Sequence, residues 1–319
     1  MRRQRHSFTR TVWAVLSLGL FAPGESPAEP ATGAVRRMDG FHDWTFMKLN
    51  STVNRFDEIV GGADPFQGSD TNSEFRLTLY TEVKTGSVRE FSVEPDYSMD
   101  LHLPRIERRF HVFVNNFSPD SIPGESPLEQ KRTTLLGVKQ SVDWVKNLGF
   151  DTAAGVKWRL PPVLFGQVQL SREIKPGRWI IEPKQSVFWF SDDDGFGEKT
   201  SLTVEYWENP RTFARSAAGA RWTEGTEGVE WSEALSAGYI LQGDRSDMIK
   251  TIGARLVAAG HKSGSGVMDS YRAGVTWRAP LYRDWLFYIV NPEVTWDKDH
   301  DWESTRTLIV GVDMYFSGE

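Results

Sequence analysis

The chain has 319 residues with 37 basic and 43 acidic side chains, a formal net charge of −6, thirteen Trp and no Cys. An acidic total with no local basic run excludes a nucleic-acid grip, which needs Lys and Arg on one face to displace counterions from phosphates. The lack of Cys permits an oxidising compartment, and the lack of an 18-residue apolar stretch past the N-terminus excludes a helical membrane protein, leaving a soluble β-rich protein or a barrel.

At the N-terminus, Arg2, Arg3, Arg5 and Arg10 precede an apolar run from Thr11 to Ala22, followed by Gly24, Ser26, Pro27 and Ala28. This is the pattern of a secretory signal peptide over residues 1–28. The run is shorter than the roughly 20 residues a spanning helix needs, which weighs against a retained anchor. Ser26 and Ala28 supply the small residues read by a signal peptidase, with Ala31 as the alternative cleavage point. Without the leader, which takes four Arg and one Glu, 33 basic and 42 acidic residues remain, a net charge near −9.

Residues 29–72 form a periplasmic N-terminal segment with a helix expected near 42–61. Phe46, Leu49, Val53, Phe56 and Val60 recur at steps of three and four, a narrow apolar stripe suited to another helix or a protein surface. Gly61 and Gly62 end the pattern.

From residue 73 to 316 the period is two, in segments near the 9–11 residues of a tilted membrane strand. Turn signals place strands near 73–84, 90–103, 107–117, 133–144, 149–159, 163–174, 178–190, 197–208, 211–222, 228–242, 248–260, 267–278, 284–296 and 304–316. An even number suits a bacterial barrel with both chain ends on the periplasmic side, and a first hairpin outside the wall would leave twelve. In the last segment Leu308, Val310, Val312, Met314 and Phe316 share one face, with Gly311, Asp313, Tyr315 and the exception Ile309 on the other. Val267, Tyr271, Ala273, Val275 and Trp277 oppose Ser270, Arg272, Gly274, Thr276 and Arg278, and Leu235, Ala237, Tyr239 and Leu241 oppose Ser236 and Gly238.

Counting back from the C-terminus puts the tight links Lys175-Pro176-Gly177 and Glu208-Asn209-Pro210 on the periplasmic side. Longer polar loops, including Asn116 to Arg132 and His261 to Gly266, fall outside, although the short Leu160-Pro161-Pro162 breaks the rule. Many Trp, among them Trp158, Trp179, Trp189, Trp207, Trp222, Trp277 and Trp296, stand at strand ends, where a ring with an apolar body and a polar N–H suits the membrane boundary. The competing reading is a soluble sandwich with core Trp.

The runs Val53-Asn54-Arg55-Phe56-Asp57, Ser73-Glu74-Phe75-Arg76-Leu77, Asp100-Leu101-His102-Leu103-Pro104, Phe188-Trp189, Asp194-Gly195-Phe196-Gly197-Glu198, Tyr282-Arg283-Asp284-Trp285-Leu286-Phe287 and Gly311-Val312-Asp313-Met314-Tyr315-Phe316 are those on which the chain resembles a family of uncharacterised Gram-negative outer-membrane β-barrel proteins. The resemblance spans nearly the whole chain past the leader. It implies a fold and a place in the cell outer membrane, with no established activity and no catalytic residues. The chain departs from the usual aromatic terminus of such barrels, since Ser317, Gly318 and Glu319 follow Phe316.

Chemistry has few candidates. His261 and Ser263 are two apart, the His-x-Ser spacing of outer-membrane phospholipases and lipid A deacylases, but no orienting third group follows in sequence. The acidic clusters Asp192, Asp193, Asp194, Glu198 and Asp297, Asp299, Asp301, Glu303 lack a complete calcium loop, because Trp302 stands where the turn needs glycine. No catalytic, metal or cofactor site is therefore expected. Alternation assigns Arg178, Glu182, Lys184, Glu205, Arg215, Glu230, Arg272, Arg278 and Asp313 to the lumen face. The expected function is a noncatalytic narrow channel for small polar solutes or a structural envelope component. The alternatives are an outer-leaflet lipid hydrolase and an interaction protein docking a periplasmic partner through the helix, which could instead plug the lumen. Expected partners are outer-membrane lipids, lipopolysaccharide and the barrel-insertion machinery.

Overall fold

The structure is a computed structural model that describes residues 32–61, 74–101, 111–115, 121–123, 134–145, 148–192, 195–226, 228–245, 248–263 and 265–316. The signal peptide expected over 1–28 lies outside the described residues. The chain divides into two compact units, Met1–Thr45 and Phe46–Glu319. Helix α1, Thr32–Gly61, runs across that division. It starts ten residues before the expected 42, because Ala34, Arg36, Arg37 and Met38 are good helix formers and no Pro interrupts them. Phe41 and Trp44, in the first unit, are exposed. The side chains of Val53, Phe56 and Val60 lie outside the described residues.

The second unit is a closed antiparallel barrel of fourteen strands in sequential order. They are β1 Glu74–Gly86, β2 Glu90–Leu101, β3 His111–Asn115, β4 Leu135–Val145, β5 Leu148–Lys157, β6 Val163–Arg172, β7 Trp179–Phe190, β8 Phe196–Asn209, β9 Thr212–Thr223, β10 Val229–Gln242, β11 Lys250–Ser263, β12 Ser265–Tyr282, β13 Leu286–Asp297 and β14 Ser304–Phe316. β1 closes the ring on β14 in register from Phe75↔Phe316 to Gly86↔Thr305. The first hairpin is therefore part of the wall, and the twelve-strand alternative falls away. Closure removes every strand edge, which is what lets a sheet stand in lipid without unsatisfied backbone groups.

Each strand presents alternate residues to opposite faces. On β10, Ser232, Ala234 and Ile240 are buried while Leu235, Tyr239 and Leu241 are exposed. On β14, Thr305, Thr307, Ile309 and Asp313 are buried inside, opposite Leu308, Val310 and Val312. Ile309, the exception to the polar inner face, packs with Tyr80 and Ile289. The exposed set forms an apolar belt that includes Leu79, Val138, Leu164, Val187, Leu202, Leu235, Leu256 and Val275. A soluble sheet buries such a face; a belt around a closed barrel calls for lipid.

Three readings of the sequence are corrected. Within the expected loop His261 to Gly266, residues 261–263 and 265–266 are strand, with Lys262↔Gly266 and Ser263↔Ser265 paired between β11 and β12. A register shift beside Ala259/Gly260 puts Val267 opposite His261, so it leaves the outer face that Tyr271 and Ala273 occupy. Trp207 lies on the inner face at 8% exposure, packed with Ile180 and Ile240, not in an interfacial girdle.

Candidate functional site

Inside the barrel, polar side chains are held in pairs along the wall. Glu182 and Lys184, two apart on β7, meet at 2.9 Å. Glu205 on β8 faces Arg215 on β9 at 3.6 Å, and Arg221 Nε donates to Glu230 at 2.7 Å between β9 and β10. Arg272 on β12 lies 3.6 Å from Glu293 on β13. Arg178 stands apart, in the turn before β7, where its exposed guanidinium holds Glu208 at 3.1 Å.

The tightest cluster surrounds Asp313, whose side chain is wholly buried. Arg76 donates to both carboxylate oxygens at 2.8 and 2.9 Å, and Thr78 donates at 2.7 Å. Arg278 approaches to 3.9 Å, stacks over Phe287 with 3.8 Å to the ring centroid, and donates to the Met248 carbonyl at 2.8 Å. Arg76 follows the same alternation as its neighbours, so its inward position was open to sequence reasoning and was missed.

Towards the rim opposite the chain ends, a cavity of about 370 Å³ is lined by Ile122, Arg221, Glu230, His261, Asp269 and Arg272 among others. Ile122 reaches it because Ser121–Pro123, part of the segment between β3 and β4, turns inside the barrel. The Lys199 ammonium donates to the Ser121 carbonyl at 3.0 Å, and the Ser232 hydroxyl donates to that of Pro123. Gly219 leaves the space that Pro123 fills, since an added Cβ would meet its ring. Sequence reasoning placed this segment in an outer loop, and nothing in its periodicity marks an inward turn.

His261 Nδ1 lies 2.6 Å from Asp269 Oδ2. Asp269 is the extra residue at the β12 register shift, which no propensity signals. A neutral imidazole so held carries its proton on Nδ1 and turns Nε2 outward as an acceptor. The pair lines the cavity. The Ser263 side chain lies outside the described residues. Asp192 is engaged by Arg159 at 2.6 Å, and Asp297 accepts the Asp299 N–H at 2.8 Å. Among the described residues no three His, Asp or Glu side chains are grouped to hold a metal.

An apolar cluster lies on the inner wall from β3 to β7, beside the Lys139–Asp151 ion pair. Leu135, Val163, Phe165, Phe188 and Phe190 form a buried cluster joined by Phe113 and Ala153, and Lys157 caps the Phe190 ring at 4.8 Å. Near the chain-end rim, Ile180, Trp207 and Ile240 with Phe213 and Met248 narrow the interior again.

Fold and lumen together define a closed fourteen-strand antiparallel β-barrel with an apolar outer belt and charged pairs on its inner face. No protein-family model matches the sequence, and no curated protein matches it. Among solved structures the chain is similar to a loop-deletion mutant of OmpT, an outer membrane protein of Vibrio cholerae, at 11% identity and TM-score 0.47, covering 77% of this chain and 100% of that one. It is also similar to Pseudomonas aeruginosa OccK5 (OpdH), at 8% identity and TM-score 0.47 over 78% and 99% of the two chains. A third is the CymD monoaromatic hydrocarbon channel, at 10% identity and TM-score 0.45 over 79% and 90%.

Proposed function

We propose that this protein is a narrow channel of the bacterial outer membrane for small polar solutes, oriented with both chain ends in the periplasm and the Ser121–Pro123 segment in the extracellular half of the lumen. The observation that carries this reading is that the lumenal ion pairs lie along the wall, between neighbouring strands or within one apart from the longer Arg278–Asp313 approach across β13, with a polar cavity beside them. A barrel of fourteen strands is intermediate between eight-stranded barrels filled by side chains and the 16–18-stranded porins with open channels, which fits a lumen only partly filled. Both signs of charge line the cavity, so strong ion preference is not expected. His261 and Asp269 line the cavity on the inner side of the wall, which favours transport over hydrolysis of outer-leaflet lipid.

The test is single-channel recording from refolded protein in a planar bilayer. Discrete small conductances are expected from the wild type, and larger ones from Lys199→Ala, whose lost hydrogen bond releases Ser121–Pro123 from the wall. Silent bilayers with both proteins would overturn the channel reading in favour of a structural envelope component.

A further inference from the structure

The strand faces at the base of the β1–β14 seam show on which side of the wall the helix lies. Phe75 and Leu77 on β1, Met99 on β2, and Met314 and Phe316 on β14 all belong to the outward, lipid-facing set, since Thr78, Tyr80, Asp313 and Tyr315 take the inner positions. Yet Phe75 and Phe316 are each only 4% exposed, because Phe46 and Leu49 of α1 pack against this group. The covering is external. This part of the helix does not enter the lumen.

The same stretch also leaves an apolar side chain in the open. Met47 is 61% exposed, with Lys48 exposed beside it. In water a helix with grease on two sides loses roughly 25 cal/mol for every Å² of apolar surface left wet. At the boundary between headgroups and acyl chains both sides are accommodated, one on the barrel and the other in lipid. The wall next to it is already lipid-facing, with Leu79 43% exposed on β1 above Phe75 and Leu77.

We propose that residues Phe46–Ser51 form an interfacial strap, seated on the outer wall at the β1–β14 seam and inserting Met47 into the phospholipid leaflet at that rim. The partner is a phospholipid surface, and the inference holds whether or not the lumen conducts. It also gives the seam, where the first and last strands close the ring, a brace from outside.

Because the chain has no Cys, Met47→Cys introduces a unique thiol at an exposed position. A polarity-sensitive fluorophore on it is read in the full chain refolded into phosphatidylcholine–phosphatidylglycerol vesicles, with folding confirmed by the gel shift on heating. Lys175→Cys, at an exposed charged position in the link between β6 and β7 at the same rim, serves as the aqueous reference. The strap predicts blue-shifted emission, severalfold weaker quenching by iodide than at the reference, and strong quenching by lipids carrying a nitroxide high on the acyl chain. Iodide quenching equal to the reference would overturn the proposal, and so would shielding from iodide without quenching by nitroxide lipid, the signature of a protein partner or of a site within the lumen.

Discussion

Asp313 illustrates what the alternation demands of single residues. Its strand position aims it inward, where its charge is held by Arg76, Thr78 and the more distant Arg278. Removing one partner of a buried ion pair leaves the other charge uncompensated and costs about 3–5 kcal/mol. Asp313→Ala should therefore lower the urea midpoint of the folded barrel sharply, and Asp313→Asn less, since the amide still accepts a hydrogen bond. An Ala variant as stable as the wild type would mean that the cluster does not hold this part of the wall together. At the cavity, Arg221→Ala strips Glu230 of its partner and raises the negative charge at the mouth. The reversal potential in a KCl gradient should shift towards cation selectivity, and an unchanged value would remove Arg221 from the permeation path.

At the scale of the strand, one residue decides between lipid and lumen. Leu235→Arg sets a charge in the hydrocarbon and is expected to cost about 2–4 kcal/mol near the bilayer midplane, whereas Ser236→Glu points into the lumen between Arg215 and Arg255 and should be tolerated. Refolding yields into vesicles compare the two directly. Gly137 on β4 faces the apolar cluster, and an added Cβ would stand 2.9 Å from the Phe113 ring and 3.1 Å from that of Phe165. Gly137→Val should thus destabilise the barrel by about 1–3 kcal/mol through overpacking, read as a lower unfolding midpoint. Strands such as β10 and β14 were legible in sequence because a period of two over a dozen residues has no competing explanation. The bulge at Asp269 was not, since one inserted residue leaves no compositional mark and flips everything beyond it, as it does Val267. Nor was the inward Trp207 or the early start of α1, because an aromatic at a strand end fits both an interface and a core, and helix propensity is a weak guide to boundaries.

For the whole molecule, the expected fourteen-strand ring is the observed one, and most of the charged residues assigned to the lumen lie in ion pairs within or between strands. What sequence did not disclose is how the lumen is filled. The Ser121–Pro123 segment meets Lys199, Gly219 and Ser232 only after β8, β9 and β10 have been brought round to it, and an apolar cluster lies on the inner wall from β3 to β7. Such contacts join residues far apart in the chain, and no local pattern encodes them. The polar cavity beside the wall-bound ion pairs is the basis for proposing a narrow channel.

All of this depends on a greasy outside and a wet inside, and the cysteine-free chain allows that to be measured residue by residue. Single Cys at Ser201, Leu202, Thr203 and Val204 of β8, refolded into lipid vesicles, would be challenged with a water-soluble, membrane-impermeant maleimide. Ser201→Cys and Thr203→Cys should react, while Leu202→Cys and Val204→Cys should resist until detergent dissolves the membrane. Equal labelling at all four positions, or the reverse alternation, would contradict the barrel as described.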